Sequence, residues 1–227
     1  SRKATAATRK RVPGEGEMRV FHGFDTLPQF VRPAVTVGSY DGVHLGHRAL
    51  IGRLVAEARA NGGESIVLTF EPHPRITLGR AEGLRLLTTL DEKLSLLAEL
   101  GVDNVIVIPF DRTFSALSGE EFVNDYLIGR VGAETLVAGF NHRFGHDRID
   151  CEALAAPGRL KVVKVEPCSV GGMNVSSTKI RRLLEEGKTA EAELLLGPRP
   201  GKPVSEAMDR SDAAGPNPYP GKLKTKK

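Results

Sequence analysis

The segment AVTVGSYDGVHLGHRAL, residues 34–50, passes from a β-rich apolar run into a glycine-containing loop and then into a helix-like pattern. The run at 34–40 predicts a strand, because β-branched residues dominate it and turn residues end it. Apolar residues at helical spacing across 47–60 predict a helix that begins directly after the loop. A strand, a short loop and a helix in this order indicate the first step of an alternating α/β chain.

The same alternation continues through the middle of the chain. Further strands are predicted at 65–70, 104–110, 134–140 and 161–168, and helices at 89–100, 118–131, 177–187 and 190–197. Four of the five strands are near-continuous aliphatic runs, which is typical of strands buried on both faces. We therefore expect an α/β fold with a parallel five-stranded sheet, flanking helices and right-handed crossovers.

The two ends of the chain differ in composition from its middle. Residues 1–19 show no periodicity, and residues 198–227 are rich in proline and lysine with few aliphatic side chains, so we expect both tails to be disordered around a domain at 20–197. Each tail carries a net charge of +4, and the middle carries −4. A nucleic-acid-binding fold more often has basic charge on its folded part, so a nucleic-acid partner is not expected.

The sequence also indicates where in the cell the protein is expected. No run of about 18 apolar residues is present, so no membrane span is expected. The first residues lack an apolar stretch and do not resemble a secretory signal. Cys151 and Cys168 have no CxxC partner, and we interpret both as reduced thiols of a cytoplasmic protein.

Four loops at predicted strand ends carry the candidate chemistry, because ligands of parallel sheets bind at the carboxyl ends of the strands. The first loop, 38–47, holds His44 and His47 three residues apart at a helix start, with Gly46 between them. The helix N-terminus favours an anion, and Gly46 permits close approach of a ligand to the backbone. Phosphate binding, a structural pair of rings and a metal site all remain open, although a zinc site would need a third ligand.

The second and third loops suggest a pocket. Pro72 and Pro74 restrain the backbone on either side of His73, which makes a stiff turn at a strand end. After the strand at 134–140, Phe144 and Asn141 would allow a flat aromatic ligand to stack and to form hydrogen bonds. An ordinary stiff loop is the alternative at the first of these positions.

The fourth loop resembles the first in chemistry. It presents Ser176, Ser177 and Thr178 at a helix start, and Arg181 lies one turn later. Hydroxyl groups, free backbone N–H groups and a guanidinium suit a polyphosphate. A simple helix cap with surface charges is the alternative interpretation.

These four segments resemble the motifs of a known family. GSYDGVHLGH resembles the G-x-F-D-G-x-H-x-G-H motif of bacterial FAD synthetases, with Tyr40 in place of the usual Phe. TFEPHP, GFNHRFG and VSSTKIR are similar to the family's other three motifs and occur in the same order. An H-x-G-H motif alone would indicate only the wider nucleotidylyltransferase superfamily.

The resemblance implies the FMN adenylyltransferase domain of these bifunctional enzymes, with a Rossmann-like sheet, which makes FAD and pyrophosphate from FMN and Mg-ATP. By this resemblance His44, His47 and Arg181 act on the ATP phosphates. The resemblance also implies the remaining ATP-binding residues, which are Gly38, Ser39, Tyr40, Asp41, Gly46, Ser176, Ser177 and Thr178. The flavin would be bordered by Phe70, Pro72, His73, Pro74, Asn141 and Phe144. Mg²⁺ would be carried by the ATP phosphates, with no side-chain metal ligands.

The chain also departs from the family pattern. Most members continue into a riboflavin kinase domain, whose motif is not recognised in this sequence, so kinase activity is not expected. Two alternatives to FMN adenylyl transfer remain open. One is adenylyl transfer to another phosphate acceptor, such as phosphopantetheine or nicotinamide mononucleotide, and the other is a non-catalytic protein that binds flavin or nucleotide.

Overall fold

A twisted sheet with helices on both faces forms the centre of this computed structural model, which describes residues 8–12, 15–151, 153–154 and 159–199. The strands are β1 (Thr8–Val12), β2 (Glu15–His22), β3 (Ala34–Val37), β4 (Ser65–Glu71), β5 (Asn104–Pro109), β6 (Thr135–Gly139), β7 (Arg143–Phe144), β8 (Ile149–Asp150), β9 (Lys161–Val165), β10 (Ser169–Val170) and β11 (Met173–Asn174). β7 with β8 and β10 with β11 form two small hairpins outside the main sheet.

The main sheet has the strand order β1-β2-β5-β4-β3-β6-β9. Every pairing in it is parallel except that of β1 with β2. The chain moves outward from β3 through β4 to β5, and then returns to the other side of β3 for β6 and β9. The order therefore reverses beside β3, and the carboxyl ends there form the crevice in which open α/β sheets bind ligands. The α/β class and the parallel sheet are confirmed.

The five predicted strands are present, but the predicted number of strands was too low. β2 is a sixth parallel strand that pairs with β5, and its Met18 and Val20 are buried. The prediction of disorder through residue 19 was therefore wrong for β1 and for the first half of β2. The apolar residues of β2 are too few to stand out in sequence, and burial against β5 stabilises the strand. Residues 1–7 and 13–14 of that tail lie outside the described ranges.

The helices are α1 (Leu45–Ala60), α2 (Pro74–Thr77), α3 (Leu90–Glu99), α4 (Arg112–Ser115), α5 (Gly119–Glu121), α6 (Ser177–Glu185) and α7 (Thr189–Leu196). A π-helix at Phe122–Ile128 continues α5, so the helix predicted at 118–131 is present with a different hydrogen-bond pattern in its second part. Both capping boxes expected from sequence form: Thr89 with Glu92 at α3, and Ser118 with Glu121 at α5.

Apolar layers cover both faces of the sheet. Ile51, Leu54 and Leu97 belong to the layer beneath α1 and α3, whereas Leu127 and Leu136 belong to the layer on the π-helix side. Burial from both sides explains why the central strands are continuous aliphatic runs. None of the described helices is both long enough and apolar enough to cross a membrane.

The domain extends slightly beyond the predicted boundary at residue 197. An Nη2 group of Arg199 donates to the carbonyl oxygen of Gly42 at 2.7 Å, and Arg48 donates in the same way to Pro198 at 2.7 Å. The chain after α7 is thus bound to the loop that follows β3. Residues 200–227, the rest of the predicted disordered tail, lie outside the described structure.

Candidate active site

The loop that follows β3, residues 38–47, is called the histidine loop. Tyr40, Gly42 and Val43 in it have positive φ angles of 47°, 85° and 39°. The Tyr40 ring folds back over Gly38, where a Cβ atom would lie 2.9 Å from the ring. The Tyr40 hydroxyl is 2.8 Å from Thr36 Oγ1, which itself donates to the carbonyl oxygen of residue 137 at 2.7 Å. Tyr40 therefore holds the loop tightly against the end of the sheet.

The two histidines lie in direct contact at the start of α1. Their rings stack with centroids 3.5 Å apart and an interplanar angle of 16°. His44 caps the helix, because its Nδ1 accepts a hydrogen bond from the backbone N–H of His47 at 3.2 Å. The neutral His44 ring therefore carries its proton on Nε2. Nδ1 of His47 is buried and has no hydrogen-bond partner among the described residues.

Burial keeps both rings neutral at pH 7. It lowers the pKa of His44 to about 4, and the nearby Asp41 carboxylate only partly opposes this effect. Burial also holds the pKa of His47 well below 6.5, with further lowering by His44 and by the Lys93 ammonium. Two neutral rings can stack without repulsion, and each has one N–H group to donate to an incoming oxygen.

A buried ion pair joins the histidine loop to α6. The Arg181 guanidinium contacts the Asp41 carboxylate, and the two side chains are only 10% and 3% exposed. The other carboxylate oxygen of Asp41 accepts from the backbone N–H groups of Leu87 and Thr88 at 2.8 and 3.2 Å. Arg181 also donates to the carbonyl oxygen of Arg85 at 2.8 Å. The ion pair and its backbone hydrogen bonds therefore join the histidine loop, α6 and residues 85–88.

The start of α6 lies against the same loop. The Ser177 hydroxyl donates to the backbone carbonyl of Asp41 at 2.9 Å, whereas the Ser176 hydroxyl caps the helix. Thr178 is exposed. A Cβ on Gly46 would lie 3.2 Å from the His44 ring, so glycine there makes room for that ring. The two segments that the sequence marked for phosphate are therefore adjacent, and their roles toward phosphate stay predictions.

The β4–α2 turn brings a third histidine to this region. His73 caps α2, with Nδ1 accepting from the backbone N–H of Arg75 at 3.2 Å. Burial lowers the pKa of His73 to about 4, and the charges of Asp41 and Arg181 act on it as they act on His44. The same two charged side chains therefore act on a histidine of the β4–α2 turn and on a histidine of the histidine loop.

A cavity of about 500 Å³ opens beside this cluster at the carboxyl ends of β3, β4 and β5. Of the six residues predicted to border a flavin, Phe70, Pro74 and Phe144 line the cavity. Pro72, His73 and Asn141 are not among its lining residues, and the Asn141 side chain is exposed. A pocket with aromatic side chains is therefore present at the predicted place, but only three of the six predicted residues line it.

Further aromatic side chains in that wall were not predicted, and Arg80, Arg143 and Arg148 also belong to it. Phe110 and Phe114 line the cavity, and the Phe70 and Phe110 rings meet edge to face at 5.1 Å. Phe122 stacks on Phe144 with ring centroids 5.9 Å apart. The signal for Phe110 was its position at the end of a predicted strand, where it follows the run NVIVIP. A flat ring system fits a cavity with such walls.

Lys93 of α3 is another residue near the site that sequence reasoning missed. Its side chain is buried, and Nζ donates to Thr69 Oγ1 at 3.3 Å. Thr69 in turn donates to the carbonyl oxygen of Ser39 in the histidine loop at 3.3 Å. The sequence signal was its place three residues after Leu90 and four before Leu97, on the apolar face of the helix.

No group of three or more His, Cys, Asp or Glu side chains that could hold a metal ion occurs in the described part of the chain. Asp41, the acidic residue nearest the histidines in sequence, has its oxygens bound to Arg181 and to backbone N–H groups. The site thus offers cations and N–H donors, which suits an anionic ligand.

A family model described as FAD synthetase matches residues 28–179, a range that includes the histidine loop, both sides of the cavity and the start of α6. The chain belongs to the FAD synthetase family.

Curated relatives of this FAD synthetase family chain agree with the assignment. A bifunctional riboflavin kinase/FMN adenylyltransferase of Listeria monocytogenes is 37% identical over 171 residues, which are 74% of this chain and 54% of the relative. The corresponding Escherichia coli protein is 35% identical over 186 residues, with 79% and 59% covered. The chain thus spans little more than half of these two relatives.

A shorter relative and a solved structure complete the comparison. A putative bifunctional riboflavin kinase/FMN adenylyltransferase of Geobacillus thermodenitrificans is 35% identical over 173 residues, which are 76% of this chain and 92% of the relative. The crystal structure of a macrolide-efflux protein from Streptococcus pneumoniae has a TM-score of 0.70 and 28% identity, covering 78% of this chain and 69% of that one. The similarity to the Streptococcus pneumoniae structure is a similarity of fold.

Proposed function

We propose that this chain is an FMN adenylyltransferase, which transfers AMP from ATP to FMN and releases pyrophosphate. The observation that carries the proposal is the aromatic cavity beside the histidine loop and the start of α6, in a member of the FAD synthetase family. A flavin ring in the cavity would direct its phosphate tail toward the edge of the sheet. There it would meet a nucleotide held by the histidines and α6.

The chemistry needs little activation of the nucleophile. A phosphate oxygen of FMN forms a bond to the α-phosphorus of ATP, and the bond from that phosphorus to the bridging oxygen breaks as pyrophosphate leaves. The second pKa of a phosphomonoester is about 6, so the attacking group is already ionised at pH 7. The protein therefore contributes orientation of two anions and stabilisation of charge rather than a strong base.

The residues present suit this task. The stacked rings of His44 and His47 are neutral and offer N–H groups at the N-terminus of α1, where the helix dipole favours an anion. Hydroxyl and N–H groups at the start of α6 serve the remaining phosphates. Arg181, which the family resemblance assigns to the phosphates, acts from its ion pair with Asp41 by holding the two segments together.

Mg²⁺ enters as part of the substrate, bound to the ATP phosphates, and neutralises part of their charge. The donor set supports this view, because the described residues provide no cluster of acidic or histidine ligands for a resident ion. We expect activity to require a divalent cation at concentrations comparable with ATP.

Adenylyl transfer to another acceptor is the main rival function. Phosphopantetheine has no flat ring, so it would leave the aromatic wall formed by Phe70, Phe110 and Phe144 unused. Nicotinamide mononucleotide has a single small ring, whereas the cavity of about 500 Å³ has room for a fused ring system. These properties favour the flavin.

An acceptor comparison tests the proposal. The purified chain is incubated with Mg-ATP and, in parallel, with FMN, phosphopantetheine or nicotinamide mononucleotide, while pyrophosphate release is followed. We expect release with FMN, accompanied by FAD on chromatography, and little release with the others. Tight binding of FMN without any FAD would instead support a non-catalytic flavin-binding protein.

The proposal extends to the setting of the reaction. We interpret Cys151 and Cys168 as reduced thiols, which fits a cytoplasmic location. FMN and ATP are the expected partners, and the acidic middle of the chain speaks against nucleic acid. Riboflavin kinase activity is not expected from the described domain.

A further inference from the structure

His142 lies in the loop between β6 and β7 and lines the cavity. Its backbone N–H donates to the carbonyl oxygen of Gly139 at 2.9 Å, which makes a tight turn directly after β6. Its ring meets the Phe144 ring with centroids 4.4 Å apart and an interplanar angle of 62°. The family resemblance assigns Asn141 and Phe144 to the flavin and leaves His142, between them, without a role. The turn and the ring contact therefore fix an unassigned imidazole in the cavity wall.

The half-buried His142 ring has no hydrogen-bond partner among the described residues. Burial lowers its pKa to about 4, with no contribution from a neighbouring charge or hydrogen bond. The pKa values of His44 and His73 are lowered as far, but each of those rings caps a helix through Nδ1. Neither nitrogen of His142 is among the fully buried unpartnered atoms of the described chain, so a ligand in the cavity can reach them. Such a ligand would supply the partner that the desolvated ring lacks.

The other polar side chains of the cavity wall are exposed or already bonded. Four of them are exposed: Arg80, Arg143, Arg148 and His146. Arg143 also pairs with Asp150 at 3.3 Å, and the Ser115 hydroxyl donates to the carbonyl oxygen of Arg112 at 2.8 Å. A hydrogen bond from an exposed group to a ligand replaces one to water and discriminates little between ligands, whereas a desolvated group gains its missing partner. Of these side chains, His142 is therefore the one best placed to distinguish one ring from another.

The chemistry of these side chains defines what His142 would recognise. A neutral imidazole has one N–H donor and one acceptor nitrogen, whereas the arginines have donors only. The ring system of a flavin has an imide edge, in which one N–H group stands between two carbonyl groups. The arginines can donate to the carbonyl oxygens, but the imide N–H group needs an acceptor. The acceptor nitrogen of His142 meets that need.

We infer that His142 accepts a hydrogen bond from the imide N–H group of the bound ring and thereby makes the cavity prefer a ring that has such an edge. The inference rests on the proposed adenylyl transfer to FMN and assigns one specificity-determining residue to its acceptor site. The ligand class is a fused heteroaromatic ring with an unsubstituted imide. Because Phe144 belongs to the same wall, His142 lies beside any ring that packs against Phe144.

Binding of FMN and of 3-methyl-FMN, in which a methyl group replaces the imide hydrogen, tests this role. Affinities are measured by flavin fluorescence in the presence of Mg²⁺ and an ATP analogue whose α–β bridge cannot be cleaved. We expect the unaltered chain to bind FMN about fivefold or more tightly than 3-methyl-FMN. His142→Phe should weaken FMN binding by about fivefold or more and change 3-methyl-FMN binding by less than about twofold, because only FMN loses a hydrogen bond.

The variant and its control separate hydrogen bonding from packing. Phe is larger than His, so a preference caused by steric exclusion of the methyl group would persist in His142→Phe. His22→Phe makes the same change at an exposed histidine that does not line the cavity, and it should alter neither affinity. Thermal unfolding checks the fold of each variant, and His142→Leu replaces the Phe variant if that variant does not fold.

The outcomes separate this inference from the proposed function. Equal weakening of both flavins by His142→Phe would show a packing role and overturn the inference. A preference for FMN that persists in this variant would assign the N–H group to another acceptor, such as the Ser115 hydroxyl, and would overturn it too. Equal binding of the two flavins by the unaltered chain would also overturn it, and FAD formation would then leave the proposed function intact. Failure of the unaltered chain to bind FMN at all would overturn the proposed function as well.

Discussion

The stacked pair of histidines contains two chemically different rings. His44 has a fixed tautomer, because its Nδ1 accepts from the backbone of His47. His47 has a buried Nδ1 atom without a hydrogen-bond partner in the described structure. An unpaired buried polar atom is costly, and functional sites are where such costs are retained. His47 is therefore the ring whose removal should affect function more than folding.

His47→Ala tests that difference. We expect turnover in FAD formation to fall at least tenfold, since one N–H donor to the phosphates is lost, while the unfolding transition stays cooperative. His22→Ala, which changes an exposed histidine at the end of β2, serves as the control and should leave turnover unchanged. Near-normal turnover of the His47 variant would remove this ring from the mechanism.

Tyr40 stands where the family usually has Phe, and the structure gives its hydroxyl a local task. The hydroxyl contacts Thr36 Oγ1 at 2.8 Å in a buried position, and the Thr36 hydroxyl is itself a donor to a backbone carbonyl group. Tyr40→Phe should therefore lower the free energy of unfolding by about 1 kcal/mol and leave FAD formation nearly unchanged. Urea unfolding and a turnover assay measure the two effects. A large loss of turnover would indicate that the hydroxyl acts on the substrate.

Sequence reasoning at the residue scale found polar groups in and directly after the strand-end loops and missed Lys93 on the apolar face of α3. His44, His47 and Ser177 lie at helix starts after strands, where general rules predict ligand groups. Lys93 was not singled out, because its burial depends on packing against β4, where Thr69 accepts its hydrogen bond. Phe110 was taken as the end of a strand, and only the folded chain shows the cavity that it lines.

The Asp41–Arg181 ion pair connects separate elements of the site. Arg181→Met should lower the free energy of unfolding by about 3 kcal/mol, because Asp41 would keep a buried charge without its partner. Adding Asp41→Asn should recover part of that loss, and urea unfolding of both single variants and the double variant measures the coupling. Additive losses would show that the two side chains do not depend on each other.

At the scale of secondary-structure elements, the sequence predicted which segments are helices or strands better than it predicted their hydrogen-bond patterns or their number. The five strands and the helices that cover them were predicted from aliphatic runs and capping boxes, and all are present. The π-helix at Phe122–Ile128 was predicted as part of an ordinary helix, because apolar spacing does not distinguish the two hydrogen-bond patterns. β2 was missed because its few apolar residues gain their stability from β5, far away in sequence.

The stability of the whole molecule should depend on pH through its buried histidines. Burial lowers the pKa values of His44, His73 and His142 to about 4, and that of His47 also lies well below 6.5. Between about pH 4 and 6.5 the unfolded chain therefore binds more protons than the folded chain, so the free energy of unfolding falls as the pH falls. We expect a loss of about 3 kcal/mol or more across this window, measured by urea unfolding at fixed ionic strength.

A histidine variant separates this effect from the titration of carboxylates. His142→Asn should make the dependence on pH less steep, because one depressed pKa is removed. His22→Asn, at an exposed site, should not change it. A free energy of unfolding that is constant from pH 6.5 to 4 would contradict the burial of neutral histidines.

At the scale of the whole molecule, the fold explains how three of the four separated motifs come to lie at one edge of the sheet. Parallel strands end at the same edge of the sheet, so loops that follow β3, β4 and β6 must meet there even though about a hundred residues separate the first from the last. This rule made the meeting of the loops predictable. The ion pair that joins the histidine loop to α6 depends on side-chain packing and was not predicted.

The fate of the ATP phosphates tests the central claim most directly. The chain is incubated with FMN and Mg-ATP labelled either at the α- or at the γ-phosphate, and flavins and pyrophosphate are separated by chromatography. Transfer of AMP to FMN predicts that the α-label appears in FAD and the γ-label in pyrophosphate, in equal amounts. Incorporation of the γ-label into a flavin, or FMN bound to the protein with no labelled FAD formed, would contradict it.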